Sequence, residues 1–258
     1  MSQSDTYRRI LSKLGYYDYQ RGLIYRHLKQ ESGWDSHLKN CREYVMRAVR
    51  IQKPERITVL GSGWLLDLPV AEISEMVSEI ILVDIVHPPD VIKQAGMIRN
   101  IKIVEADVTG GLIENVFNRV KAQPLFSKLN TLSGLEIPDY VPDSDPGLII
   151  SLNLLTQLEV LPVRFLKRMA RISEDELLEF RKAIQRNHIR FLSSYRSVLI
   201  TEYEEVTTDK SGEVTKEKTV VTDLPEGFDV EKWTWNFDLK GSDFYGKRSV
   251  MRVIAMSV

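Results

Sequence analysis

Beyond Pro54 the chain alternates short apolar runs with helix-like segments, and this alternation narrows the available folds more than any other feature. The runs span residues 57–60, 80–83, 101–104 and 148–152. Each has strand length and is almost wholly apolar, as strands buried on both faces of a parallel sheet require. Helix candidates at about 64–78, 89–98 and 112–122 lie between them, which is the order of βαβ units. The fold class read from this pattern is α/β.

Residues 4–50 repeat apolar side chains at three- and four-residue spacing, which predicts two or three helices broken at Gly15, Gly22 and the Ser32–Gly33 pair. Pro54 closes this stretch by disfavouring helix at the residue before it. The organisation expected is therefore a helical extension or lid over residues 1–53 and an α/β domain over 54–258. Residues 123–146 hold Pro124, Gly134, Pro138, Pro142 and Pro146 with little periodicity and predict a long connection that helps shape a substrate pocket. Helices follow at about 156–169 and 173–194, the second opening with Ser173 and Glu176 at capping-box spacing. Near the C-terminus, residues 197–207 and 213–222 flank the turn 209–212 and predict a hairpin, with a final strand over 249–258.

The 258 residues are 43% apolar and 28% charged, enough to bury a full core. Cys41 is the single cysteine, so no internal disulfide forms, and no zinc-type ligand spacing is visible. A reducing, cytoplasmic setting is expected. The first twenty residues lack the apolar stretch of a secretory signal. The most apolar window, 148–161, is interrupted by Asn153, Thr156, Gln157 and Glu159 and is too short to span a bilayer, so no membrane partner is expected. Net charge is −1, with positive charge concentrated in 1–53 and 164–196. Without a recognisable binding motif these read as solvated helical faces, so a small-molecule substrate is expected and a nucleic acid is not.

The segment ITVLGSGWLLDLP, residues 57–69, reads as a strand, a tight turn with Gly61 and Gly63, and a helix starting at once. Glycines there let a ligand approach a main chain with no Cβ in the way. A second strand ends in Asp84, where a carboxylate can accept hydrogen bonds from two ribose hydroxyls. A third ends in Asp107, followed by Val108, Thr109 and Gly110, so Asp107 is either a ligand contact or a turn cap. The fourth ends in Asn153. In a doubly wound sheet all four endings open on one crevice.

With these residues the sequence resembles the class I S-adenosylmethionine-dependent methyltransferases. The resemblance covers about residues 55–165 and implies a Rossmann-like, mostly parallel seven-stranded sheet with an antiparallel C-terminal hairpin. It implies S-adenosylmethionine as cofactor, with Gly61, Ser62 and Gly63 against its methionine part, Asp84 and Ile85 at the ribose, Asp107 and Val108 at the adenine, and Asn153 beside the transferred methyl. Asn153 and His87 are the catalytic candidates, and no metal is expected. The family's third glycine falls at Leu65, and the acid often found before the first glycine falls at Val59. A dinucleotide-binding turn would need glycine at Leu66, and no Tyr-x-x-x-Lys pair accompanies it, so an NAD reductase is disfavoured. Residues 153–156 lack the Asn/Asp-Pro-Pro-aromatic signature of amino-group methylation on nucleic acids and proteins. The alternative reading is a non-catalytic methyltransferase-like binding or interaction module.

The remaining candidates have structural readings beside functional ones. His27, His37 and His188 are expected in exposed or capping roles, and His87 also fits a turn before Pro88 and Pro89. Tyr16, Tyr17, Tyr19, Tyr25 and Trp34 form either a lid or a packed helical layer. Trp233 and Trp235 alternate at strand spacing and should share one face.

Overall fold

The computed structural model of the chain describes residues 4–124, 127–242 and 246–258. Three helices open it: α1 (Asp5–Leu14), α2 (Tyr16–Lys29) and α3 (Asp35–Gln52). Ser4 caps α1 by accepting from the Tyr7 N–H, and Gly15 separates α1 from α2 at φ +93°. Gly22 does not break the second helix, because a helical glycine costs only about 1 kcal/mol.

The α/β part then runs β1 (Arg56–Leu60), α4 (Val70–Ser74), β2 (Glu79–Asp84), α5 (Pro89–Ala95), β3 (Ile101–Glu105), α6 (Leu112–Lys121), β4 (Leu148–Leu152), α7 (Gln157–Met169) and α8 (Glu174–Leu192). It ends with β5 (Ser197–Thr208), β6 (Val214–Lys218), β7 (Phe228–Asp238) and β8 (Arg248–Ser257). One sheet joins them in the order β3-β2-β1-β4-β5-β8-β7. Strands β1 to β5 are parallel, and β8 and β7 are antiparallel additions. This is a Rossmann-like α/β fold with eight strands rather than seven. The predicted hairpin forms, but β6 pairs only with the outer half of β5 and lies off the main path.

Alternation along the strands covers both faces of the sheet. Ile57, Val59, Ile80, Leu82, Leu148 and Ile150 pack with α3 residues Leu38, Tyr44, Val45 and Val49. Leu60, Ile81, Val83, Ile149 and Leu199 pack on the other face with Ile189 and Leu192 of α8. The first three helices are thus joined to the sheet through α3, and α1 packs against α6 and α7.

Two further sequence expectations change here. No helix starts directly after Gly63: α4 begins only at Val70, and residues 61–69 form an irregular loop. In the capping box, Ser173 accepts from the Glu176 N–H as predicted, but the Glu176 carboxylate turns to the Thr131 hydroxyl and the Leu132 N–H. That contact, with Leu129 and Leu132 buried, fixes the 123–146 connection against α8.

Candidate functional site

The carboxyl ends of β1 to β4 open on a cavity of about 140 Å³. Gly61, Gly63, Asp84, Ile85, Asp107, Val108 and Asn153 all line it, so seven of the residues singled out in the sequence meet at one place. Ser62 and His87 do not. The Ser62 hydroxyl is buried 3.0 Å from His87 Nε2, and the pair supports the loop from behind. Burial also pushes the His87 pKa down to about 4, keeping it neutral. The 123–146 connection contributes no described residue to the cavity. It instead borders a small pocket with Ile137, Pro138 and Tyr140.

The loop after β1 is built around positive φ angles. Gly61 sits at +77° and Gly63 at +49°, and Leu65 adopts +58° although it carries a side chain. Leu65, which stands where the resemblance would have a third glycine, is thus left-handed as well. Leu65 is not glycine because its side chain is 6% exposed and belongs to the main core, which offsets the backbone cost. The loop turns back through the Leu65 N–H to Ser62 O bond at 3.0 Å and brings Trp64, Leu66 and Asp67 to the cavity.

Asp84 fixes the floor. Its Oδ2 accepts the Gly63 N–H at 2.8 Å, its Oδ1 the Ile85 N–H at 2.7 Å, and Gln20 of α2 reaches Oδ1 at 3.5 Å. Burial raises its pKa to about 6, against the opposing pull of the Gly63, Ile85 and Val86 N–H groups. A carboxylate has about four acceptor positions, so an incoming hydroxyl donor would take the place of the long Gln20 contact at 3.5 Å. Asp107 is more committed. It accepts the Thr109 N–H at 2.9 Å, the Thr109 hydroxyl, and the Ile113 N–H at 3.3 Å, so it caps α6 while also lining the cavity. Burial raises its pKa as well.

The helical extension supplies one wall. Tyr16, Tyr19, Gln20 and Leu23 of α2 line the cavity, and the Trp64 indole N–H donates to Gln20 O at 3.0 Å. The aromatic group of the sequence divides accordingly. Tyr16, Tyr19 and Trp34 face the cavity, Tyr17 packs against the second core cluster, and Tyr25 is exposed.

Opposite lies a polar cluster that sequence reasoning missed. His37 and Cys41, one turn apart on α3, meet Asp67, and their nearest ligand atoms lie within 4.8 Å of one another. Asn153, at φ +48°, donates from Nδ2 to Asp67 Oδ2 at 2.7 Å and stands 3.3 Å from His37 Nε2. His37 is buried, stacked on Trp235 with ring centroids 3.9 Å apart, and its Nδ1 accepts the Trp233 indole N–H at 3.1 Å. Trp233 and Trp235 thus do share a face, and both hold His37. An indole N–H can only donate, so the neutral imidazole carries its proton on Nε2, directed at Cys41 Sγ 3.6 Å away. Burial lowers the His37 pKa to about 3, and Asn153 Nδ2 links the cluster by lying within reach of Asp67, Cys41 and His37. The expectation of an exposed or capping His37 is corrected. The i,i+4 spacing of His37 and Cys41 was its available sequence signal. His188 is also buried, with Nε2 2.8 Å from the Ser151 hydroxyl, because the face of α8 that carries it packs on the sheet.

No family model matches the sequence, and no curated protein matches it. Among solved structures, a chain described as "DhpI-SAH complex structure" is 10% identical, with 96% of each chain covered and a TM-score of 0.36. Another, "DhpI-SAM-HEP complex", is 10% identical over 91% of this chain and 97% of that one, with a TM-score of 0.32. Likeness this distant carries no argument for function. Among the described residues no helix is long and apolar enough to cross a membrane.

Proposed function

We propose that the chain binds S-adenosylmethionine in this cavity and transfers its methyl group to a small molecule. The observation that carries the reading is the Gly63–Asp84 junction: a ligand-accessible main chain hydrogen-bonded to an acid at the tip of the adjacent strand. The group fits what is there. A Cβ built on Gly63 meets no atom nearer than 3.8 Å, so the space beside it is open to a ligand. In this reading the Asp84 carboxylate accepts from the ribose hydroxyls, with Ile85 beside it. Val108 and the Asp107 turn border the adenine, Gly61 and Gly63 lie along the methionine part, and Asn153 faces the transferred methyl.

The bound cofactor would supply a methyl group on a positively charged sulfur. The protein's own residues have simpler tasks. They hold two reactants in line and exclude water, and such positioning alone accounts for large accelerations. Neither Ser62 nor His87 takes part, since both are turned away from the cavity.

Calorimetric titration with S-adenosylmethionine and S-adenosylhomocysteine, with NAD as control, tests the proposal. Micromolar binding of both sulfur nucleotides, lost in Asp84→Ala and absent for NAD, supports it. If neither binds, the cofactor reading fails and a non-catalytic module takes its place.

A further inference from the structure

The cavity's charge is one-sided. Its lining includes the carboxylates of Asp67, Asp84 and Asp107 and, among the described residues, no lysine or arginine. Arg42 comes near Asp67, but its guanidinium donates to the Leu66 carbonyl and it does not line the cavity. A phosphate or carboxylate on the acceptor would enter without a lysine or arginine partner, at a large desolvation cost, whereas the cofactor's carboxylate carries its own ammonium with it. A cation would meet the opposite conditions.

The polar cluster sharpens this. Asn153 is 5% exposed, and among the described residues its Oδ1 is buried without a partner while its Nδ2 is spent on Asp67. The amide therefore presents an acceptor beside the Asp67 carboxylate, which is also an acceptor. The 2.7 Å contact with the Asp67 carboxylate fixes Nδ2 on that side, because exchanging the amide atoms would set two oxygens against each other. His37 Nε2–H is directed at Cys41 Sγ and offers nothing outward. The Trp235 indole N–H is also buried without a partner among the described residues, but a neutral donor does not balance an anion. Trp34, Trp64, Trp235, Tyr16 and Tyr19 supply aromatic faces to the same space, and such faces attract cations.

We infer that the acceptor is an amine, held as its ammonium form by the Asp67 carboxylate and Asn153 Oδ1. This rests on the methyl-transfer reading above. Asp67 first takes one proton from the ammonium, which frees the nitrogen lone pair. That pair forms the N–C bond to the methyl carbon as the S–C bond breaks, its electrons staying on sulfur to leave a neutral thioether. The product leaves as a methylated ammonium, and Asp67 returns its proton to water. Burial holds the Asp67 carboxyl above the usual carboxylate range, which suits a group that must accept a proton.

The test uses three probes of one shape on the protein saturated with S-adenosylhomocysteine: 2-phenylethylamine, 2-phenylethanol and 3-phenylpropionate. The expected result is at least tenfold tighter binding of the amine than of either other compound. Asp67→Asn should lose that margin while its melting curve and its affinity for S-adenosylhomocysteine stay unchanged. Equal affinity for the three head groups, or binding of none, overturns the inference without touching the cofactor reading. A tenfold fall in S-adenosylhomocysteine affinity in Asp67→Asn also overturns it, by giving the carboxylate to the cofactor's own ammonium. Failure of S-adenosylhomocysteine to bind the unaltered protein would instead sink the methyl-transfer reading and this inference with it.

Discussion

Replacing Gly61 and Gly63 separately by alanine should divide the work of the β1 turn into a folding part and a binding part. At Gly61 the new Cβ would stand 2.9 Å from Leu154 Cβ and 3.0 Å from the Leu152 carbonyl oxygen, neither of which is a free chain end. The φ of +77° adds a left-handed penalty of about 1–2 kcal/mol for any side chain. Displacing packed neighbours at those distances costs about 1–3 kcal/mol more. The total, about 2–5 kcal/mol, lowers Tm by roughly 10 °C in a chain of this size. At Gly63 the nearest atom is the Gly61 oxygen at 3.8 Å, so only the backbone penalty applies. Gly63→Ala should therefore lose about 1 kcal/mol and roughly 3 °C. Its methyl would enter the cavity instead, where it should weaken S-adenosylmethionine binding at least tenfold, or about 1.4 kcal/mol. Thermal melts followed by circular dichroism, with calorimetry on each folded variant, read both quantities. Equal losses of Tm in the two variants, or a Gly61→Ala melt within 2 °C of the parent, would refute the packing argument.

Three further outcomes follow from the same structure. Leu65→Gly relieves the φ of +58° but empties a buried site; the loss of about 3 kcal/mol exceeds the gain of about 1, and urea unfolding should show a net destabilisation near 2 kcal/mol. Glu202 is buried on β5, its Oε2 has no partner among the described residues, and burial raises its pKa to about 7. An acid with a raised native pKa gives most stability below its unfolded value and loses it as pH rises through the folded one. The advantage of Glu202→Gln over the parent should thus grow by about 3 kcal/mol between pH 4.5 and pH 8, measured by denaturant titration at several pH values. Asp84 titrates near pH 6, and hydroxyl donors require its ionised form. Calorimetry should find S-adenosylmethionine affinity flat above pH 7 and falling by up to tenfold per unit below pH 6, and no change down to pH 5 would remove Asp84 from the ribose role.

Much of the architecture is legible in the sequence because it is local or periodic. The four apolar runs are strands since nothing else buries so continuous a set on both faces, and their order fixes β1 to β4 as parallel neighbours. Gly61, Gly63, Asp84, Asp107 and Asn153 could be picked out because strand ends in such a sheet share one edge. What lies over that edge depends on contacts between residues far apart in sequence. Asp67 meets Asn153 across 86 positions, and Trp233 reaches His37 across 196. No spacing rule reports such meetings. The tertiary structure alone decided that His87 turns behind the loop to Ser62, that α2 walls the cavity, and that a neutral His37 is locked between an indole N–H and a thiol. Local propensity names the elements, but side chains acquire donors, acceptors and shifted pKa values only when burial removes water and leaves them the partners that packing supplies.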